Sequence, residues 1–330
     1  MSLTVTDLRV HYRTLRGDVQ ALDGVTFDIP DGEILGLAGE SGCGKTTLGK
    51  SLIRLDGRMR HVGGTALLNG TELPISDDRA MNAFRFHQVS LVPQYSMSAL
   101  NPTRRIGRMI RELLASRGVP ADTAELHRRL GLVGLAPEVL DRYPIELSGG
   151  MKQRVVMVIS TLLDPALLIA DEITSALDVS TQQAVARALV GLRDRGLVDS
   201  MMFITHDLAL TSHIADSIMV MYAGRLAEKA PSKVLTTEPR HPYTKLLLGS
   251  LPEVGVRHAE RRLTGIEGSP PSLLRPPARH PTTAPDGGPA VPALTGCRFR
   301  DRCPLADAGC AEQPPSVEIA PRHHVACWKA

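Results

Sequence analysis

Short runs that are apolar at nearly every position punctuate the chain: Ile34 to Ala38 (ILGLA), Leu167 to Ala170 (LLIA) and Met201 to Thr205 (MMFIT). Runs of this length suit buried strands. Leu3 to His11 and Val25 to Ile29 read as further strands. Ile218 to Lys229 reads as a hairpin turning at Ala223-Gly224. Helical patterning covers Lys45 to Leu55, most of Ile110 to Leu140 with breaks at Gly118-Val119-Pro120 and Pro137, and Ser180 to Arg195. The first 255 residues are therefore expected to be an α/β domain. From Gly268 to Thr295 the chain is dense in proline and predicts an extended, semi-rigid linker rather than a packed element. The division expected is 1–255, a linker over 256–295, and a cysteine-bearing tail over 296–330, with no internal repeat.

The chain has 330 residues, is 43% hydrophobic and carries a net charge of +3 with both signs interspersed, enough for one large domain and a smaller one. Aromatic residues are only 3%, which argues against base-stacking surfaces and a nucleic-acid partner. The start, MSLTVTDLRV, lacks the charged and apolar regions of a secretory signal. No stretch approaches the roughly 20 apolar residues of a membrane helix; Leu162 to Ala170 is broken by Asp164 and Pro165. The chain is expected to be soluble and cytosolic, with any membrane role coming through a partner.

Gly39-Glu40-Ser41-Gly42-Cys43-Gly44-Lys45-Thr46 fits G-x-x-x-x-G-K-[ST] in full, between an apolar strand and a helix. Such a loop points backbone N–H groups and a helix N-terminus at phosphate. Gly39, Ser41, Gly42, Cys43, Gly44, Lys45, Thr46 and Thr47 are the residues expected to hold the phosphates of a nucleotide (ATP, once the family resemblance below is taken in), with Lys45 on the β- and γ-phosphates and the Thr46 hydroxyl on Mg²⁺. Leu167 to Glu172 is four apolar residues followed by two carboxylates. Alone this is a strand ending in surface acids. Beside a phosphate loop, it predicts that Asp171 holds Mg²⁺ through water and that Glu172 polarises the attacking water.

Leu147-Ser148-Gly149-Gly150-Met151-Lys152-Gln153-Arg154 offers a second helix N-terminus, capped by Ser148. Ser148, Gly149 and Gly150 thus form a second phosphate-binding device. One nucleotide needs one cradle, so this one is expected to serve a nucleotide bound by another subunit.

At this point the sequence resembles the ABC-transporter ATPase family, whose signature is LSGG. The resemblance covers about residues 1 to 255 and implies a P-loop NTPase fold with a RecA-like core, an antiparallel β subdomain and a helical signature subdomain. It implies that Tyr12 stacks on adenine, and that Gln94 in LVPQYS senses Mg²⁺ and contacts a membrane subunit. It places Ser175 and Asp178 in a loop at the dimer interface and makes His206 in FITHD a contact of the γ-phosphate. Two positions depart from the family pattern: Met151, where many members carry glutamine, and Ile173, where proline usually follows the glutamate. The second bears on the loop that carries Glu172. A soluble ABC ATPase working on nucleic acid or ribosomes is the alternative, but such proteins carry insertions or a duplicated domain. This chain has about a hundred residues between Lys45 and Ser148. A P-loop kinase would have no use for LSGG.

Cys297, Cys303, Cys310 and Cys327 follow C-x5-C-x6-C-x16-C, which is not a zinc ribbon. Disulfides are disfavoured beside a cytosolic ATPase domain. Four thiolates can saturate an iron–sulfur cluster or Zn²⁺, and spacing does not choose between them. His241-Pro242-Tyr243-Thr244, Gly268-Ser269-Pro270-Pro271, Gly296-Cys297-Arg298-Phe299 and Arg302-Cys303-Pro304 resemble the C-terminal extension of the oligopeptide/dipeptide permease branch. That resemblance implies a 4Fe-4S cluster on the four cysteines, with Zn²⁺ second, in the role of a structural staple. It also implies the partners: a second ABC ATPase subunit in a heterodimer, two transmembrane permease subunits and, indirectly, an extracytoplasmic solute-binding protein. The expected place is the cytoplasmic face of the membrane. The expected cargo is peptides or similar small solutes.

Overall fold

The computed structural model describes residues 2–54, 56–94, 98–174, 177–250, 265–275 and 294–330. Thirteen strands and nine helices are formed among them. In chain order the first half runs β1 (Leu3–Thr14), β2 (Gly17–Ile29), β3 (Ile34–Ala38), α1 (Lys45–Ile53), β4 (Met59–Leu68), β5 (Thr71–Glu72), α2 (Asp78–Met81), β6 (Val89–Val92), α3 (Ile106–Ser116), α4 (Thr123–Leu132) and α5 (Gly149–Thr161). The second half runs β7 (Leu167–Asp171), α6 (Val179–Asp194), β8 (Ser200–Ile204), α7 (Leu208–Ile214), β9 (Ser217–Tyr222), β10 (Arg225–Pro231), α8 (Ser232–Thr237), α9 (Pro242–Gly249), β11 (Leu274–Arg275), β12 (Val317–Ala320) and β13 (His323–Val325).

Two sheets organise the chain. One is antiparallel, in the order β11-β2-β1-β4-β5. The other has the order β12-β13-β10-β9-β3-β8-β7-β6, and its β9, β3, β8, β7 and β6 run parallel. A parallel sheet is covered on both faces, which is why its strands are apolar at nearly every position. Alternation divides each strand between two cores. Leu168, Ala170, Met201 and Phe203 face the core made with α3 to α6. Leu167, Ile169, Met202 and Ile204 face the core shared with α1 and the antiparallel sheet.

The expected helical stretch from 110 to 140 divides as its breakers dictate. Helix α3 ends before Gly118, α4 starts under the Asp122 cap, and a short 3-10 turn begins at Pro137. Helix α5 starts where Ser148 predicts, with its Oγ accepting the Met151 N–H at 3.3 Å.

The expected linker differs from the structure over 265–275. There Leu274 and Arg275 pair with Val19 and Asp18 on the edge of β2, and the Leu273 carbonyl accepts the Gln20 N–H at 2.9 Å. The edge of β2 supplies hydrogen-bond partners that no proline in the segment blocks. Residues 256–264 and 276–293 of that linker, and Ser175, lie outside the described residues. The tail is likewise paired: β13 adds to β10, and β12 to β13.

Candidate nucleotide site

Strand β3 delivers the chain at Ala38 into the glycine-rich loop. Gly39 holds φ 141°, and a Cβ there would sit 2.3 Å from the Met221 carbonyl oxygen and 2.8 Å from Cys43 Sγ. Gly44 caps α1 at φ 107°, where a Cβ would meet the Ala21 carbonyl oxygen at 2.6 Å. Only glycine lets the backbone curl this tightly. Lys45, buried at the head of α1, donates from Nζ to the carbonyls of Gly39 (2.7 Å) and Glu40 (3.1 Å), so the loop wraps its ammonium. Cys43 is a packing residue: its carbonyl accepts the Gly224 N–H at 2.8 Å, and burial pushes its thiol pKa up despite nearby Lys45.

Tyr12, Ser41, Gly42, Gly44, Lys45, Thr46, Thr47, Gln94 and Glu172 line one cleft of about 360 Å³ together with Val19, Ala21 and Leu273. Burial raises the Tyr12 pKa, and a hydrogen bond with Thr47 opposes that shift, so ring and loop are already in contact. A larger hollow of about 650 Å³, between the antiparallel sheet and the tail, holds none of the expected site residues.

At the far wall Thr46 Oγ1 donates to Asp171 Oδ1 at 3.1 Å. Asp171 is 1% exposed, and its Oδ2 has no hydrogen-bond partner among the described residues. Burial pushes its pKa up, with the Thr46 bond pulling the other way. A buried carboxylate oxygen left without a partner is costly. A hard divalent cation supplies that partner, and the hydroxyl, amide and carboxylate oxygens of Thr46, Gln94 and Asp171 are the donor set Mg²⁺ takes. The residues therefore fit Mg²⁺.

Gln94 Nε2 donates to Glu172 Oε2 at 2.6 Å. Glu172 itself sits at φ 45°, a left-handed conformation for a residue with a side chain, at a cost of ~1–3 kcal/mol. Its N–H donates to the Ile204 carbonyl at 2.8 Å, which ties the strained residue to the end of β8. Ile173 is buried and its carbonyl accepts from Gln153 Nε2 at 2.7 Å, so the departure from the family pattern leaves this turn anchored rather than loose.

Other expected residues are not brought into the cleft. His206 is exposed, just past β8, and is not among the lining residues. Ser148, Gly149 and Gly150 stand at the start of α5, also outside it. Asp178 caps α6, accepting the Thr181 N–H at 3.0 Å, and hydrogen bonds from Ser180 and Thr181 hold its pKa well below the usual carboxylate range. Of the lining residues not expected, Val19 and Ala21 alternate along β2, whereas Leu273 arrives on the segment expected to be a spacer and carries no sequence signal.

The tail cysteines differ from expectation. Burial raises the thiol pKa of Cys297, Cys303 and Cys327, and the negative charge of neighbouring cysteines adds to each rise. The Cys297 N–H donates to the Cys310 carbonyl at 3.0 Å. Yet among the described residues no group of three or more His, Cys, Asp and Glu side chains is placed to hold a metal ion. The iron–sulfur or zinc expectation finds no support in this arrangement. Cys310 Sγ instead lies 3.7 Å from Asp307 Oδ1, and Cys327 Sγ accepts the Lys329 N–H at 3.3 Å.

Residues 22–175 match the family model described as ABC transporter, and residues 227–310 match that of the oligopeptide/dipeptide transporter C-terminal region. The chain is 37% identical over 336 aligned residues to the probable peptide ABC transporter ATP-binding protein y4tR of Sinorhizobium fredii, covering 99% of this chain and 95% of that one. It is 36% identical to the dipeptide transport ATP-binding protein DppD of Bacillus subtilis, over 99% of this chain and 94% of that protein. The fold is similar to the dimeric structure of MJ0796, a bacterial ABC transporter cassette, with a TM-score of 0.61 and 22% identity over 70% of this chain and 98% of that one.

Proposed function

The chain belongs to the ABC transporter ATPase family, in the group that carries the oligopeptide/dipeptide transporter C-terminal region, and on that footing we propose that it binds and hydrolyses ATP to drive import of peptides or similar small solutes. The observation that carries the reading is the joining of Lys45, Thr46, Gln94 and Glu172 on one cleft, with buried Asp171 hydrogen-bonded to Thr46, in a chain with that C-terminal region. Peptides as cargo are supported by the names of the full-length relatives. Within the described residues no helix is long and apolar enough to cross a membrane, which fits a subunit held at the cytoplasmic face by two permease subunits and fed by an extracytoplasmic solute-binding protein.

Each residue has a stated part. The loop N–H groups and Lys45 bind the triphosphate, and Tyr12 receives adenine. Thr46, Gln94 and Asp171 hold Mg²⁺, which when bound neutralises developing phosphate charge. Glu172, oriented by Gln94, takes the proton of the attacking water. Ser148, Gly149 and Gly150 lie outside the cleft of their own chain, which suits a signature that completes the site of a second ATPase subunit, with Asp178 and the Ser175 loop at that interface and His206 reaching the γ-phosphate on closure. The finer reading of the tail, a 4Fe-4S cluster with Zn²⁺ second, rests on the four cysteines of the sequence and not on their placement. Iron, sulfide and zinc assay of anaerobically purified protein decides it, and metal-free protein removes it.

The test is Glu172→Gln. MgATP affinity is expected within about twofold of the parent, while turnover falls ~10²- to 10⁴-fold, the range for loss of a general base. Hydrolysis at the parental rate would remove the role given to Glu172. Co-purification with polytopic membrane subunits, rather than with ribosomes or nucleic acid, separates the importer from the soluble alternative.

A further inference from the structure

The C-terminal tail is joined to the phosphate loop by a residue with no part in the reading above. Arg302 directly precedes Cys303, and its side chain is 6% exposed. Its guanidinium forks onto Glu40, the second residue of the loop, with Nη1 to Oε2 at 2.7 Å and Nη2 to Oε1 at 2.9 Å. The remaining donors are also used. Nε donates to the Glu267 carbonyl at 2.8 Å, Nη2 to the Ile266 carbonyl at 3.2 Å, and Nη1 to the Tyr222 hydroxyl at 3.1 Å. Planar two-point pairing of this kind fixes geometry as well as supplying attraction. Hydrogen bonds to Glu40 and burial act in opposite directions on Arg302, and the first prevails, raising its pKa.

Every polar handle of Glu40 is engaged. Its carboxylate holds Arg302, and its N–H donates to the Tyr243 hydroxyl at 2.8 Å. Its carbonyl accepts from Lys45 Nζ at 3.1 Å. Tyr243 is in turn gripped by the tail: Phe299 packs on it with ring centroids 5.3 Å apart and on Tyr222 at 5.1 Å. Farther along, the tail's Arg298 donates to the Ala223 carbonyl, and the neighbouring Gly224 N–H donates to the Cys43 carbonyl of the same loop. The tail therefore reaches the loop directly at Glu40 and, through the Ala223-Gly224 turn, indirectly at Cys43.

We propose that Arg302 is a positioning residue for nucleotide binding: by clamping Glu40 it holds the phosphate loop in its curled form, so that docking of the C-terminal tail and ATP binding strengthen each other. This rests on the nucleotide-binding reading of the cleft. Coupling between two sites is reciprocal, so the factor by which the docked tail tightens ATP binding is the factor by which ATP tightens tail docking. A preformed loop binds more tightly because less ordering remains to be done on binding.

The experiment uses the full chain. Arg302→Met keeps the stem and removes the fork, Arg302→Lys keeps the charge without the second contact, and Glu40→Gln removes the partner charge. Arg300→Gln is the control, since among the described residues the Arg300 side chain pairs with its exposed neighbour Asp301 alone. The Kd for MgATP, titrated calorimetrically, is expected to rise about tenfold for Arg302→Met and for Glu40→Gln, with the double variant no worse than either. Arg302→Lys is expected to fall between, and the control to match the parent. Hydrogen exchange over 296–330 is expected to slow on adding MgATP in the parent and to lose that response in Arg302→Met. A tail that merely stabilises the fold would shift thermal midpoints without an ATP-dependent change in exchange. Kd within twofold of the parent in folded Arg302→Met or Glu40→Gln, or exchange in the parent's tail that is indifferent to MgATP, would overturn the proposal. A parent that binds no MgATP would instead sink the nucleotide reading and this coupling with it.

Discussion

His241 makes a pH prediction whose size follows from its surroundings. The residue is 3% exposed at the N-cap of α9. Nδ1 accepts the Tyr243 N–H at 3.0 Å, and the ring is also hydrogen-bonded to the Ala326 backbone. An acceptor at Nδ1 and a donor to the Ala326 carbonyl require the neutral ring with its proton on Nε2. Burial lowers the pKa from 6.5 to about 4, although the charge of Glu228 opposes the shift. Glu228 is itself fully buried and shared, accepting the N–H groups of Arg240 and His241 while its Oε1 faces His323 Nε2 at 2.8 Å. Between 6.5 and 4 the unfolded chain carries a proton that the folded chain refuses. Stability is then complete above about pH 6.5 and is lost as pH falls through that window. At 1.36 kcal/mol per pH unit the whole window is worth ~3 kcal/mol, of which ~2 kcal/mol is gone by pH 5. His241→Asn keeps a capping acceptor for the Tyr243 N–H but cannot titrate. Urea unfolding of both proteins at pH 7.5 and pH 5 measures the difference directly. The parent's advantage over the variant is expected to shrink by ~2 kcal/mol at the lower pH. An advantage of the same size at both pH values would refute the argument, because it would mean that the folded chain accepts the proton as readily as the unfolded one.

Other substitutions probe the cleft and its support. Gly39→Ala places a methyl 2.3 Å from the Met221 carbonyl, a backbone atom that cannot swing aside; MgATP affinity measured by calorimetry is expected to fall at least about tenfold, and an unchanged Kd would show that the loop tolerates a Cβ. Asp171→Asn removes a buried charge with an unpartnered oxygen, so turnover should fall about 100-fold while metal-free stability holds or rises by up to ~1 kcal/mol; urea midpoints and a phosphate-release assay check the two halves. Arg129, 5% exposed, ties Glu125 of α4 to Asp164 and to the Thr161 carbonyl at the end of α5, and Arg129→Met is expected to cost ~2 kcal/mol in urea unfolding by removing the charged donor from that carbonyl, which keeps the Asp164 N–H.

Much of this site was written locally. The loop from Gly39 to Thr46 and the acids after β7 are contiguous, and each depends on backbone conformations that a short stretch specifies by itself. Helix α5 begins at the Ser148 cap because capping is a local contest over a few N–H groups. What sequence patterning missed came from distant pairing. Residues 274 and 275 look like part of a spacer until the free edge of β2 is available to them. The same holds for β12 and β13, which extend the large sheet from the tail. Leu273 enters the cleft only as a consequence of that pairing. The tail cysteines are a different case: four thiols in a short segment suggest one shared site, while the described contacts of Cys310 Sγ and Cys327 Sγ are to Asp307 and to the Lys329 N–H.

With Glu172 as the proposed base, the hydrogen bonds around it would link hydrolysis to the rest of the chain. Its carboxylate is held by Gln94 after β6, and its backbone by Ile204 at the end of β8. The next residue, Ile173, gives its carbonyl to Gln153 on α5, the helix that begins with Ser148-Gly149-Gly150. Ser160 of the same helix returns to β6 by donating to the Leu91 carbonyl at 3.1 Å. Helix α5, the strand leading to Gln94 and the turn carrying Glu172 thus form a closed circuit of hydrogen bonds around a residue already held in a strained backbone conformation. Such a conformation persists only while its surroundings dictate it. On the proposed function, a displacement of α5 or of the Gln94 loop is therefore expected to alter the orientation of the Glu172 carboxylate, while the phosphate loop is held in addition by Glu40 and Cys43 and is joined to the same turn through the Thr46–Asp171 bond.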